Sequence, residues 1–112
     1  MHNMNVKTKY YNLLKSGKKT IELRLFDEKR QKIKIGDMIT FSNSSDSMDT
    51  FQAKVIQLHR AENFKNLCQK IKPSQAGFTT EEELLAVLEE FYTPSAQKKF
   101  GVIGIEISLQ IQ

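Results

Sequence analysis

The chain has 112 residues, 39% of them hydrophobic and 27% charged, with a formal net charge of +4 and a pI near 9.2. This is the size and composition of one soluble domain, read here as spanning 1–112, which buries about two-thirds of its unfolded surface without staples. No apolar run reaches the roughly 18 residues of a membrane helix, and "MHNMNVKTKYY" lacks the apolar core of a secretion signal, which together point to the cytoplasm.

"NVKTKYYNLLKSGKK" predicts a short helix, with Tyr10, Leu13 and Leu14 as its apolar stripe and Gly17 as its C-cap. His2, ahead of it, is expected at a frayed terminus. "KTIELRLF" alternates, so Ile21, Leu23 and Leu25 are expected in the core and Glu22 and Arg24 on the opposite face. "DEKRQKIKIGD" reads as a charged turn that delivers the strand "MITF". "SNSSDSMD" reads as an unstructured polar loop tip, and "TFQAKVIQLHR" as the returning strand of a hairpin. Its inward residues are Phe51, Ala53, Val55 and, after a break, Leu58.

"AENFKNLCQKI" predicts a short helix stopped by Pro73, and "KPSQAGF" a loop. "TTEEELLAVLEEFY" is the strongest helix pattern. Thr80 and Glu83 form a capping box, and Leu84, Val87, Leu88 and Phe91 make the buried stripe before Thr93–Pro94 ends it. "FGVIGIEISLQI" is a final apolar strand whose Gly101 and Gly104 signal a bend or bulge. This order of elements predicts an α+β fold: a bent sheet or small β-barrel of about five to six strands with flanking helices.

Several chemistries lack the residues they need. His2, His59 and Cys68 show no metal-ligand spacing, so neither a metal nor another cofactor is expected. No serine sits in a nucleophile turn, and "SGKKT" lacks the glycine spacing of a phosphate loop. Cys68, the single cysteine, lies between Leu67 and Ile71 and reads as a core thiol.

"GKKTIELRL" is different. Residues 1–34 hold ten Lys/Arg against three acids, while the rest of the chain is net −3, an asymmetry that suits a phosphate-bearing partner. Within this stretch Glu22 and Arg24 share a face two residues apart, with Lys18 and Lys19 alongside. A guanidinium and a carboxylate so placed hold each other and can read the edge of a heterocycle. A surface strand with one ordinary salt bridge carries the same letters.

"GKKTIELR" matches the G-x-K-x-x-E-x-R motif of the ASCH family, a branch of the PUA-like superfamily of RNA-binding barrels. "IKIGDMITF" and "KFGVIGIEI" resemble the strands that follow the motif and close the sheet, so the likeness covers nearly the whole chain. The resemblance implies a PUA-like barrel whose cleft is lined by Lys19, Glu22 and Arg24, with Lys18 and Thr20 beside them, and which binds RNA or a modified nucleoside or nucleotide. One branch of the family deacetylates acetylated cytidine. Lys19 matches its lysine, but Glu22 stands where that branch has a threonine. "SQAGF" lacks the glutamate found before the long helix, the nearest carboxylates being Glu62 and Glu81. The amidohydrolase site does not carry over intact.

Two functions follow. As a binding module, Lys18, Lys19 and Arg24 attract phosphate, Glu22 and Arg24 read a base, and Tyr10 or Tyr11 offers a stacking surface. As a metal-independent hydrolase of modified nucleosides, the chain would use Glu22 as general base and Lys19 as electrostatic support, because a neighbouring carboxylate stabilises an ammonium.

Overall fold

The computed structural model describes residues 1–109. Five strands form one curled sheet in the order β1-β3-β4-β5-β2. β1 (His2–Val6) runs parallel to β3 (Met38–Asn43), and the remaining neighbours, β4 (Asp46–Ala61), β5 (Val102–Leu109) and β2 (Ile21–Leu25), pair antiparallel. The expected α+β barrel is present with five strands, as a half-barrel. β1 and β2 are its two edges, and no ladder joins them. The expected final strand continues through Gln110 and Ile111, which lie outside the described residues.

The strand β1 takes in His2, expected to fray, and also Asn5 and Val6, expected to open the first helix, which begins only at Thr8. Met4 and Val6 alternate with Asn3 and Asn5 and are fully buried against β3. His2 is anchored too, its Nε2 lying 2.8 Å from Asp37 Oδ2. Helix α1 (Thr8–Ser16) follows and ends at Gly17, whose φ of 83° is the left-handed cap. Its buried residues are Tyr11 and Leu14, whereas Tyr10 and Leu13 lie half-exposed at the edge of the stripe. The charged turn after β2 contains one helical turn, α2 (Glu28–Gln31), whose N-cap Asp27 accepts from the Arg30 N–H.

The hairpin forms as expected, but its loop is much tighter. Ser44 and Ser45 make the whole turn, and β4 begins at Asp46. The Asn43 side chain fixes the turn by accepting from the Ser45 N–H and the Thr8 hydroxyl. The break expected before Leu58 is a bulge in β4 between Val55 and Gln57, which turns Ile56 outward. The bend lets one long strand pair with β3 in its first half and with β5 in its second. Gly104 makes no bulge. It gives the close approach that a side chain would deny, since a Cβ there would stand 3.0 Å from Ile21 Cγ2.

The connection from β4 to β5 is helical. It comprises α3 (Phe64–Leu67), a 3-10 turn at Pro73–Ala76 where a loop was expected, α4 (Glu81–Phe91) and α5 (Pro94–Phe100). Thr80 caps α4 by accepting from the Glu83 N–H, while the Glu83 carboxylate bonds Thr79 rather than Thr80. Pro94 ends nothing further: it opens α5 as its first residue, with Thr93 as N-cap. One apolar cluster fills the inside of the sheet around Phe41, Val55, Ile103 and Ile105. A second joins Ile21 and Leu23 to Phe64, Leu67, Leu84 and Leu88 of the helical layer.

Candidate functional site

β2 is covered on both faces, which changes the expected position of its charges. Its odd residues pack under the helices. Glu22 and Arg24 pair with Ile105 and Ile103, so they share the concave face of the sheet with those residues. The strand period was read correctly, and the face opposite the core residues is the interior of the half-barrel rather than an open surface strand.

Lys19 arrives between two backbone anchors. Its N–H donates to Leu13 O at the end of α1, and the next N–H, of Thr20, donates to Gln75 O in the 3-10 turn. Lys19 Nζ lies 3.1 Å from Glu22 Oε1, and Arg24 Nε donates to Glu22 Oε2 at 2.8 Å. The three side chains are only 4%, 7% and 16% exposed. Burial alone raises the Glu22 carboxyl, but the Lys19 ammonium and Arg24 guanidinium outweigh it and hold the group below the usual glutamate value. The triad carries a net positive charge, and Lys19 and Arg24 keep N–H groups beyond those given to Glu22.

Arg24 also donates through Nη2 to Asn5 O on β1, at 2.9 Å. The guanidinium therefore crosses the seam where the sheet fails to close. A cleft of about 190 Å³ opens along this seam. Lys19, Glu22 and Arg24 face it from β2 and Asn5, Val6 and Lys7 from the β1–α1 corner. Tyr10 and Phe78 line it as well, as do Phe91 and Tyr92 at the end of α4. Lys19 Nζ is 5.0 Å from the Tyr10 ring centre and 5.8 Å from that of Phe78, and Lys7 Nζ is 4.2 Å from that of Phe91. These are cation–π distances. Phe91, expected in the core, is 47% exposed at the rim.

Of the residues expected here, Lys19, Glu22, Arg24 and Tyr10 line the cleft. Lys18 is exposed on the loop after α1 and Thr20 is half-buried, its carbonyl taken by the Ile107 N–H; neither lines it. Tyr11 is enclosed, and its hydroxyl donates to Asp49. Neither Glu62 nor Glu81 reaches the site. Burial, with Glu81 close by, pushes the Cys68 thiol up to about 11, which leaves it protonated and unreactive. The walls from β1 and α4 were missed. β1 gave only two apolar letters in five, and the exposed end of α4 resembles any amphipathic stripe.

Among the described residues, no group of three His, Cys, Asp or Glu side chains is placed to hold a metal ion, and no helix is long and apolar enough to cross a membrane.

No curated protein matches the chain in sequence. Among solved structures, hypothetical protein PH0355 is 35% identical with a TM-score of 0.84, over 96% of this chain and 97% of its own. Protein PF0455 from Pyrococcus furiosus is 31% identical with a TM-score of 0.76, over 99% and 98%. A variant of ZmASCH from Zymomonas mobilis shares the fold at 10% identity and a TM-score of 0.70, over 95% of this chain and 66% of that one. The ASCH domain pattern itself matches residues 4–110. With the lysine, glutamate and arginine of its motif meeting at the sheet's open seam, this chain belongs to the ASCH domain family, a PUA-like fold.

Proposed function

We propose that the seam cleft binds a nucleobase-bearing ligand, an unpaired RNA base or a modified nucleotide, and that the protein is a binding module. The observation that carries this reading is the Lys19–Glu22–Arg24 triad, nearly buried yet facing an open cleft between aromatic walls. Burying three charges is seldom the most stable way to fill a core, because desolvation rivals the attraction gained. A ligand that accepts from Lys19 and Arg24 supplies a reason to keep them. The four rings that line it suit a flat heterocycle, whose stacking contributes about 1–3 kcal/mol per base. The family's general association with RNA supports the same choice.

Hydrolysis is less well served. No serine, threonine, cysteine or histidine lines the cleft. Glu22, the remaining candidate base, has each oxygen tied to a cation, which makes it a weak acceptor for a substrate proton.

The test is titration of ribonucleoside monophosphates and short RNA against wild-type protein and Lys19→Ala, with chromatography of the same mixtures and of acylated nucleosides incubated with each protein. Saturable binding that weakens with salt and depends on Lys19, with the ligand recovered unchanged, supports the module. Lys19-dependent product from an acylated nucleoside overturns it in favour of the hydrolase. Affinity that stays flat as salt rises removes the phosphate contribution.

A further inference from the structure

A second concavity lies on the other flank of α4, and nothing above uses it. It is a groove of about 920 Å³ between the end of β4, α3 and α5. Arg60, Lys65, Lys98 and Lys99 line it, against two carboxylates, Glu62 and Glu89. Among the described residues none of these four cations makes an ion pair. They come from three separate elements, so their convergence is a property of the fold rather than of one charged run. Arg60 is further ordered by Phe26, whose ring centre lies 3.7 Å from the guanidinium carbon. Stacking fixes the plane of that fork and leaves its N–H edge available for an anion.

The groove and the cleft are lined by neighbouring residues at the corner between α4 and α5. Leu85 and Glu89 of α4 face the groove, whereas Val87, Leu88 and Phe91 face the cleft. Tyr92 belongs to the cleft and Pro94 to the groove, two residues and at most about 7 Å of chain apart. A polymer leaving the cleft past Tyr92 would have to cross this corner to reach the basic groove.

We infer that this groove is the track for the phosphate backbone of a single-stranded RNA whose base occupies the seam cleft. The inference rests on the cleft reading for the base, but its own chemistry is independent: unpaired cations from three elements spread along a groove of about 920 Å³. A small ligand would reach only some of these cations, whereas an extended polyanion gains from each in turn. The basic excess of residues 1–34 led to the expectation of phosphate contacts in the N-terminal third. None of the groove's residues comes from that third.

The experiment compares ribonucleoside monophosphates with an RNA of about ten nucleotides, a length within the site sizes of single-strand binders. Each is titrated at several salt concentrations against wild type, Lys98→Ala/Lys99→Ala and, separately, Arg60→Gln. All three positions are exposed, and circular dichroism confirms that the variants are folded. The double variant is expected to bind the RNA about tenfold more weakly, with a salt slope shallower by about 1.4, two phosphate contacts having been lost. Mononucleotide affinity stays as in wild type. RNA binding and slope unchanged in both variants overturn the inference, as does a wild type that binds the RNA no better than a mononucleotide. If mononucleotides fail to bind while the RNA still depends on these cations, the groove stands and the cleft reading falls.

Discussion

Between β3 and β4 the ladder runs from Met38–Lys54 to the turn at Ser44–Ser45, and charge stays on the outside. Phe41, Ala53 and Val55 point inward and are fully buried, while Asp46, Gln52 and Lys54 remain in water. Along the seam between β1 and β2 the ladder is missing, and charge moves inside. Glu22 and Lys19 are about as enclosed as Leu23 of the core, and a guanidinium makes the hydrogen bond that a strand would otherwise make. Backbone pairing and buried charge are thus complementary ways of finishing a sheet edge. The first makes a scaffold, and the second leaves a binding surface where the scaffold stops.

The largest effects separate the two regions by kind rather than by size. Glu22→Ala strands two buried cations and is expected to cost about 3–5 kcal/mol. Phe41→Ala on the hairpin side opens a cavity of similar cost, about 3–5 kcal/mol. Urea unfolding near neutral pH gives both values, and a Glu22→Ala loss below 1 kcal/mol would break the comparison.

Acid distinguishes them. Glu22 is held below its ordinary pKa in the folded chain, so its stabilisation is fully present above about pH 4.3, the unfolded value, and drains as the pH falls through the folded one. The deficit of Glu22→Ala relative to wild type should shrink on acidification. That of Phe41→Ala should not.

A smaller effect sharpens the picture at the cleft. Gly77 has a φ of 89°, and a Cβ there would lie 3.2 Å from Lys19 Cδ. Gly77→Ala should cost about 1–2 kcal/mol through its left-handed backbone and weaken cleft ligands by displacing Lys19. Unchanged affinity would show that Lys19 has room to adjust. The smallest effect belongs to the partly exposed His59–Glu106 pair on the β4–β5 ladder, 2.8 Å apart. His59→Gln should change thermal or urea stability by about 0–1 kcal/mol and leave ligand affinity alone.

How much of this was legible follows the same division. Elements whose pattern is local were read correctly: the Gly17 cap, the alternation of β2, the hairpin and the Thr80 cap of α4. The motif lysine, glutamate and arginine were also identified. Their burial was not, because the partner of β2 on its charged face is the curled sheet itself, assembled from residues as far away as Ile103 and Ile105. β1 was unreadable for a related reason. Met4 and Val6 are its only apolar residues facing inward, and its register comes from β3. α5 was hidden by Pro94, which ends a helix as readily as it begins one.

The bond from Arg24 to Asn5 O also sets a clock for the N-terminal strand. Val6 O faces β3, where it accepts from the Ser44 N–H, so the Asn5 carbonyl and amide lie on the opposite, seam-facing side. Solvent deuterium should reach the Asn5 amide long before those of Met4 and Val6, although all three belong to one strand. A ligand lying along the seam would slow that single amide while its neighbours kept their rates, so the exchange time of one proton would report occupancy of the cleft without a label on either partner.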